Sequence, residues 1–375
     1  MYTRIVAFLA AAALACTVAA AASTAPARTA HPQTLQRQLD ELVSAGAPGA
    51  ILLVRNGNRT RELVSGFADL SRKTPMRTND RFRAASVTKS FVATVVLQLV
   101  AEHKLSLADS IESHLPGLVP GGERITIRQL LNHTSGLFDF ENDPKVLKPY
   151  LSGEFGYYWP PRKLVQIAVA HKPLFKPGKR YSYSNTNYVV LGLIVEAVSH
   201  KSMRSELRSR IFQPLKLEAT TFPTTPQMPN PHAHGYYLLG KPPATDVTGI
   251  NPFPWAAGAI VSTADDIATF YQALFSGRLL DRTLMRAMET TVAEGGKVDI
   301  PGQRYGLGLE RYPTPCGAAW GHNGVFAGYL TYAFSSKNGR RQAALMVNKD
   351  ATSLTKHAGA LFFRTIKNAY CTAPA

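Results

Sequence analysis

The chain has 375 residues, of which 45% are hydrophobic, and a formal net charge of +17 at pH 7. This composition is ordinary for a globular protein and provides one large domain or two closely packed ones. The 42 Lys and Arg residues form no dense basic run and no nucleic-acid-binding motif, which excludes nucleic acid as the expected partner. The charge instead indicates a solvated basic surface suited to an anionic cell envelope.

Residues 1–22 have the pattern of a secretory signal peptide. Arg4 precedes a run of small and apolar residues that ends in the small-residue cleavage site Ala20-Ala21-Ala22. No later stretch approaches the roughly 18 uncharged apolar residues of a membrane helix. We therefore expect an exported protein, periplasmic or secreted, with no stable membrane span. Residues 23–33 are predicted to be a linker and residues 34–371 the folded domain.

The first predicted elements are a helix over residues 34–43 and a hairpin of two strands, 50–54 and 61–66. The hairpin turn contains Asn56-Gly57, a strong signal for a two-stranded turn. Residues 91–100 follow and are apolar on nearly all sides, which is typical of a helix buried at the centre of a protein. Such a helix is a rigid support for a nucleophile at its start.

The pattern from residue 105 to residue 254 is helical and rich in loops, with helices predicted over 127–132, 188–198 and 206–212. Thr263 caps a further predicted helix, 263–275. The remaining predicted elements are strands over 304–311, 317–322, 328–334 and 342–347 and a terminal helix over 354–369. This order predicts an α+β fold. Its antiparallel sheet, flanked by terminal helices, spans about residues 34–104 and 255–371, and a mostly helical subdomain is inserted at about residues 105–254.

Cys316 and Cys371 are the only cysteines outside the predicted signal peptide. An even pair in an oxidising compartment favours one disulfide, which would tie the C-terminal segment to an upstream strand. Two unrelated buried thiols are the alternative.

Ser86 and Lys89 lie three residues apart where the central helix should begin. At that spacing two side chains share one helix face, about 5–6 Å apart at Cβ, so the amine can reach the hydroxyl. A lysine whose pKa is lowered by burial or nearby cations can take the serine proton and so create a nucleophile. The pattern is short and recurs at Ser353 and Lys356, and a helix N-cap followed by a first-turn lysine is the structural alternative.

Two further segments offer the other groups that acyl-serine chemistry needs. Tyr183 and Asn185 lie in a polar loop before an apolar helix. A phenol whose pKa is lowered by a nearby lysine could shuttle a proton, and the amide could bind the lysine and the substrate carbonyl. His322-Asn323-Gly324 lies on a predicted strand, where Gly324 would let a substrate backbone approach closely.

Ser86-x-x-Lys89, Tyr183-x-Asn185 and His322-x-Gly324, in this order, resemble the three motifs of the penicillin-recognising serine hydrolases. In most of these enzymes the third motif begins with lysine; histidine there resembles the secreted D-alanyl-D-alanine carboxypeptidase branch, which has a class-C-β-lactamase-like fold. The flanking segments that agree are 82–91, 132–137, 181–187, 305–309 and 328–334. The resemblance covers nearly the whole predicted domain and implies a β-lactamase/transpeptidase-like fold.

The resemblance implies a role for each matched residue. Ser86 would attack the carbonyl and become acylated, and Lys89 would accept its proton. Tyr183 would relay that proton to the leaving amine and later activate water. Asn185 would orient the substrate, and His322 would hold the tyrosine network together and contribute polarity.

Three positions depart from the carboxypeptidase pattern. That branch usually carries hydroxyls at the second and fourth positions of the third motif and an arginine on a nearby strand, which together bind the free carboxylate of a terminal D-alanine. The residues here are Asn323, Val325 and Glu310, and Arg311 should face the other side of its strand. The backbone N–H groups of Ser86 and Val325 would still form the oxyanion hole. Acyl-serine chemistry is therefore expected, with a weakened preference for a free carboxylate.

Three functions are open at this point. The first is a D-alanyl-D-alanine carboxypeptidase or D-amino-acid peptidase on cell-wall peptides, and the second an esterase or amidase of the same fold. The third is a weak β-lactamase or a non-hydrolytic penicillin-binding protein. The substrate would be a small peptide or ester, including a peptidoglycan stem peptide, and β-lactams would act as acylating inhibitors. No cofactor is implied, and His232 and His234 lack the second ligand cluster of a metal site.

Overall fold

The computed structural model describes residues 32–240, 242–294 and 301–372, so the predicted signal peptide and most of the predicted linker lie outside the described residues. The strands, in chain order, are β1 (Gly49–Asn56), β2 (Arg59–Asp69), β3 (Thr74–Pro75), β4 (Phe82–Arg83), β5 (Tyr236–Tyr237), β6 (Thr245–Asp246), β7 (Val261–Ser262), β8 (Val292–Ala293), β9 (Arg304–Tyr305), β10 (Glu310–Thr314), β11 (Gly317–Phe326), β12 (Tyr329–Ser335) and β13 (Arg341–Val347).

The α-helices, in chain order, are α1 (Pro32–Ser44), α2 (Thr88–Ala101), α3 (Ile127–Leu131), α4 (Pro144–Leu151), α5 (Pro161–Val169), α6 (Asn185–Ser199), α7 (Met203–Leu207), α8 (Gln213–Leu215), α9 (Ala264–Phe275), α10 (Arg282–Met288) and α11 (Lys356–Cys371). Thr263 caps α9 as predicted, since its side chain accepts the N–H of Asp266. Within the described ranges, no helix is both long enough and apolar enough to span a membrane.

The sheet confirms the predicted β-lactamase/transpeptidase-like architecture. Nine of the described strands form one antiparallel sheet in the order β3-β2-β1-β13-β12-β11-β10-β9-β8. The N-terminal hairpin joins the C-terminal strands through β1 and β13, with Ala50 opposite Val347 and Leu52 opposite Leu345. The helical segment α3–α8 lies between the two sets of strands in sequence. The bounds of the inserted subdomain, 105–254, stay a prediction.

The sheet is buried on both faces. Ile51 and Leu53 of β1 pack in the cluster that contains α2, whereas Leu52 and Val54 pack in the cluster that contains α1 and α11. Successive strand residues point to opposite faces, which explains why the predicted strand is an unbroken apolar run. The helix α2 lies between the sheet and α6, so the starts of α2 and α6 and the strand β11 come together.

The single strand predicted over residues 304–311 is wrong. A turn separates β9 from β10, and the N–H of Gly306 bonds to the carbonyl of Leu309. Gly308 has φ of 74°, and a Cβ there would lie 2.4 Å from that of Ala93 on α2. The glycines therefore allow a tight turn against the central helix.

Cys316 and Cys371 form a disulfide, which joins the turn between β10 and β11 to the end of α11. The link ties the C-terminal helix to the sheet, as the sequence predicted.

Candidate active site

Ser86 lies in a 3-10 turn, Ala85–Val87, directly before α2. The helix begins at Thr88, and no side chain caps it, so the N-cap alternative for Ser86 does not apply. Ala85 has φ of 51°, in the left-handed region that residues with a Cβ rarely adopt. Such backbone strain costs about 1–3 kcal/mol and persists where the surrounding structure holds it. The turn thus presents a half-buried serine hydroxyl above the buried helix.

Lys89 is fully buried, and its Nζ lies 2.9 Å from Ser86 Oγ, 2.7 Å from Asn185 Oδ1 and 2.7 Å from the carbonyl oxygen of Ala257. The last two oxygens can only accept hydrogen bonds. A neutral amine therefore donates its two hydrogens to them and turns its lone pair to the Ser86 hydroxyl. Burial lowers the pKa of Lys89 to about 7, so the neutral amine is populated at neutral pH. This is the arrangement of a general base.

The charged side chains whose fields act on Lys89 are acids: Glu141, Asp139 and Glu310, all of which oppose the effect of burial on its pKa. Asp139 accepts a hydrogen bond of 3.2 Å from Asn185 Nδ2, which fixes the amide beside the lysine. Burial raises the pKa of Asp139, and burial together with Asp139 raises the pKa of Glu141 to about 8. The reacting pair therefore lies in acidic surroundings.

Tyr183 lies beside the pair, with its ring centre 4.8 Å from Lys89 Nζ and its hydroxyl hydrogen-bonded to Ser86. The prediction that a nearby lysine lowers its pKa is wrong. Burial is the largest effect, and it raises the pKa of Tyr183 well above its usual value. Tyr183 therefore keeps its proton at neutral pH and can donate it, whereas Lys89 is the group that starts as a base.

His133 was not predicted to belong to the site. Its Nδ1 accepts hydrogen bonds of 3.1 Å from the Ser184 N–H and from Asn187 Nδ2, so its proton is on Nε2. Its ring centre is 4.3 Å from that of Tyr183, and burial lowers its pKa well below the usual value. A neutral imidazole ring therefore packs against the ring of Tyr183. The polar run at residues 132–135, next to an apolar helical pattern, was the available signal.

His322 lies on β11, and its Nε2 forms a hydrogen bond of 2.9 Å with the Tyr305 hydroxyl. Its ring centre is 6.4 Å from that of Tyr183. The link between His322 and the tyrosine network is therefore the hydrogen bond to Tyr305. Burial lowers the pKa of His322 to about 3, and the residue is therefore neutral at neutral pH. It supplies a polar group without a positive charge.

Gly324 packs directly against the turn that carries Ser86. A Cβ at this position would lie 2.2 Å from the carbonyl oxygen of Ala84 and 3.1 Å from the backbone nitrogen of Ser86. The glycine is therefore needed because the turn that carries Ser86 lies so close to β11. The approach of a substrate backbone stays a prediction. The oxyanion hole formed by the backbone N–H groups of Ser86 and Val325 stays a prediction.

Gly324→Ala should separate the turn from β11, because backbone atoms cannot yield to the new methyl group. We expect destabilisation of about 1–3 kcal/mol, seen as a lower melting temperature. We also expect acylation of Ser86 to slow about 100-fold, because the oxyanion donors move. The control is Gly359→Ala on α11, where a Cβ meets nothing within 4 Å and helix propensity improves. A Gly324→Ala protein with normal stability and activity would contradict this packing.

Glu310 and Asn323 are engaged with the protein itself. Glu310 is 3% exposed, and its carboxylate accepts the Asn323 N–H at 2.9 Å and the Tyr312 hydroxyl. It also lies 3.7 Å from His322 Nδ1. Asn323 Nδ2 bonds to the Tyr332 hydroxyl at 3.1 Å. Their direct contact with a substrate stays a prediction, and the observed feature is a buried carboxyl group beside the third motif.

His232 and His234 stack with ring centres 5.4 Å apart, and His234 Nδ1 contacts Asp246 at 2.6 Å. In the part of the chain that the structure describes, no group of three or more His, Cys, Asp or Glu side chains could hold a metal ion.

The fold and this arrangement of serine, lysine and tyrosine define a serine hydrolase of the penicillin-recognising class. The chain belongs to the beta-lactamase family, whose family model, described as Beta-lactamase, matches residues 32–362.

Two curated relatives are similar over different lengths. Penicillin-binding protein 4* of Bacillus subtilis (strain 168) is 27% identical over 346 residues, which are 85% of this chain and 72% of that protein. Protein flp of Staphylococcus aureus (strain MW2) is 28% identical over 243 residues, 62% of this chain. The match spans 47% of protein flp, about half its length.

Two solved structures have the same fold over most of their length. A D-stereospecific amidohydrolase from Streptomyces sp. is 36% identical with a TM-score of 0.80, covering 88% of this chain and 97% of that one. A D-amino acid amidase from Ochrobactrum anthropi SV3, complexed with L-phenylalanine amide, is 30% identical with a TM-score of 0.81, covering 90% and 96%.

Proposed function

We propose that this protein is an exported amidohydrolase that cleaves small amides of D-amino acids through an acyl-serine intermediate. The observation that carries the proposal is the set of acidic side chains around the nucleophile. A serine and its neutral lysine are surrounded by the carboxyl groups of Asp139, Glu141 and Glu310. Among the described residues, the charged side chains that act on Lys89 include no cation for a carboxylate next to the scissile bond, so these surroundings suit a small uncharged amide.

The first half of the reaction forms the acyl-enzyme. Ser86 Oγ attacks the amide carbon while its proton moves to Lys89 Nζ, 2.9 Å away. The N–H groups of Ser86 and Val325 bind the oxyanion, and losing one such donor typically costs about 10²–10³ in rate. The Tyr183 hydroxyl gives its proton to the leaving nitrogen and is reprotonated by Lys89, so ammonia leaves as the C–N bond breaks.

The second half returns the enzyme to its starting state. A water molecule attacks the ester carbon of the acyl-enzyme, and its proton passes through Tyr183 to Lys89. The bond to Ser86 Oγ breaks, Ser86 takes back a proton, and the free amino acid leaves. Asn185, held by Lys89 and Asp139, orients the substrate in both halves.

The acidic surroundings argue against a substrate with a free terminal carboxylate. A carboxypeptidase needs a cation or several donors for that group, whereas the charged side chains that act on Lys89 are acids. The D-preference is supported by the similarity to the Streptomyces amidohydrolase and the Ochrobactrum amidase. Export is supported by the signal-peptide pattern of residues 1–22.

The second candidate is a D-alanyl-D-alanine carboxypeptidase or penicillin-binding protein. The observation that favours it is the similarity to penicillin-binding protein 4* over 85% of this chain. In that case peptidoglycan stem peptides would be substrates and β-lactams acylating inhibitors.

Release of ammonia from D-phenylalanine amide should exceed release from the L-enantiomer at least about tenfold in kcat/KM. It should exceed to a similar extent the release of D-alanine from a diacyl-L-lysyl-D-alanyl-D-alanine peptide, because the site offers acids rather than a cation to the peptide's carboxylate. All three reactions are measured on one purified preparation.

Faster release of D-alanine would favour the carboxypeptidase. If none of the three substrates turned over while a fluorescent penicillin labelled the protein, the non-hydrolytic alternative would be correct.

A further inference from the structure

The chain on both sides of Tyr183 is held by one residue, His133. The carbonyl oxygen of His133 accepts the N–H of Ser182 at 2.9 Å, and its Nδ1 accepts the N–H of Ser184 at 3.1 Å. Between these two bonds the imidazole packs on the Tyr183 ring, with ring centres 4.3 Å apart. His133 therefore fixes the phenol through the residue before it, the residue after it and the ring itself.

The backbone of His133 has a rare conformation. Its φ is 59°, in the left-handed region that residues with a Cβ rarely adopt, and the residue is fully buried. Ala85, next to the nucleophile, lies in the same region. Such conformations cost free energy and persist where the surrounding structure holds them, often at functional sites. The residues beside both reacting hydroxyl groups are therefore strained.

Two further residues fix which nitrogen of His133 is the acceptor. Asn187 Nδ2 donates to His133 Nδ1 at 3.1 Å, and Ser135 Oγ donates to Asn187 Oδ1 at 2.7 Å. The Ser184 N–H can only donate, so Nδ1 carries no proton. The bond from Ser135 orients the Asn187 amide to match, because the amide then turns its NH₂ group to the imidazole.

The other ring nitrogen of His133 is not part of a proton path. Its Nε2 makes no hydrogen bond with any described residue. A histidine that relays protons needs a partner at each ring nitrogen, and this one has partners at Nδ1 alone. Burial also lowers the pKa of His133 well below its usual value, so the ring stays neutral. The ring can therefore position a neighbour but cannot pass a proton on.

We infer that His133 is the positioning residue of the proton donor, and that Asn187 and Ser135 keep its Nδ1 in the accepting form. His133 holds the Tyr183 hydroxyl on Ser86, beside the nitrogen that must leave. The inference rests on the proposed amidase mechanism and names the property that His133 controls, which is the range of leaving groups. An amide nitrogen needs a proton in order to leave, whereas p-nitrophenolate leaves without one.

The test measures two reactions of each variant. Release of ammonia from D-phenylalanine amide needs the proton of Tyr183. The initial burst of p-nitrophenol from p-nitrophenyl acetate reports acylation of Ser86 by a group that leaves without that proton. Tyr183→Phe provides the reference, because it removes the proton itself and should impair the first reaction far more than the second.

His133→Leu should lower kcat for the amide about 100-fold, since a shift of about 1 Å in a catalytic group can cost that much. The rate constant of the ester burst should change less than about threefold. His133→Asn should recover at least about tenfold of the lost amide rate, because its Oδ1 can replace Nδ1 as the acceptor. A histidine that only filled space would give no such recovery.

Asn187→Asp decides the question if His133→Leu does not fold. It keeps the volume of the core, but a carboxylate cannot donate to Nδ1, so the imidazole proton moves there and Ser184 loses its acceptor. We expect at least about a tenfold loss of amide turnover with the ester burst retained. The matched control is His114→Leu, a half-buried histidine bonded to Asp109 at 3.0 Å, which should keep both reactions.

Equal losses of the amide and ester reactions in these variants would show a purely structural role and overturn the inference. Unchanged amide turnover in Asn187→Asp would overturn it as well. The amidase function would survive either result, because turnover of the amide by the wild type measures that function. Failure of the wild type to release ammonia would overturn the proposed function and, with it, this inference.

Discussion

Ser86→Ala should reduce kcat for D-phenylalanine amide by about 10⁴-fold or more. The reason is that, among the described hydroxyl groups, that of Ser86 alone has both a lysine Nζ at 2.9 Å and a hydrogen bond with Tyr183. Labelling by a fluorescent penicillin should disappear as well, because the label is an ester of the same oxygen. Both assays are read on protein whose melting temperature matches that of the wild type.

The second Ser-x-x-Lys pattern of the chain provides the matched control. Ser353 Oγ is bonded to Asp350 Oδ2 at 2.7 Å, and Lys356 is exposed at the start of α11. Ser353→Ala should therefore still be labelled and still hydrolyse the amide. Labelling that persisted in Ser86→Ala and vanished in Ser353→Ala would reverse the assignment of the nucleophile.

Lys89→Met should lower kcat by about 10²–10⁴-fold, the usual contribution of a general base. The pH profile gives the more specific result. The base must be unprotonated, and the pKa of Lys89 is lowered to about 7, so kcat/KM should rise with pH through about 7 and then level off. Tyr183 adds no loss near neutrality, because its pKa lies well above the usual value.

The profile is best recorded with N-acetyl-D-phenylalanine amide, so that the substrate has no amine that titrates. The acidic limb should disappear in Lys89→Met and persist in Lys356→Ala, whose substituted side chain is exposed. An acidic limb that survived in Lys89→Met would show that another group is the base.

Much of the fold was predictable because it depends on local patterns. The apolar run after Ser86 predicted α2, Asn56-Gly57 predicted the first hairpin, and Thr263 predicted the start of α9. The three motifs were also predictable as a set, since each has its own short pattern. The structure brings them together at the starts of α2 and α6 and on β11.

Other properties depend on contacts between distant segments, and the sequence pattern did not contain them. The raised pKa of Tyr183 follows from burial, and His133 packs on its ring from 50 residues away in the chain. The need for glycine at 324 comes from the backbone of Ala84. A cavity beside the end of β11 likewise takes its walls from four separate stretches of the chain, 141–155, 237–253, 325–327 and 350–352.

The central claim is that Ser86 carries the acyl group during turnover. The most direct measurement is to mix the protein with D-phenylalanine methyl ester, quench the reaction in acid and locate the adduct by peptide mass mapping. The ester acylates faster than the amide and so allows the intermediate to accumulate. We expect one D-phenylalanyl group on the peptide that contains Ser86. Hydrolysis accompanied by an adduct on any other residue would contradict the account.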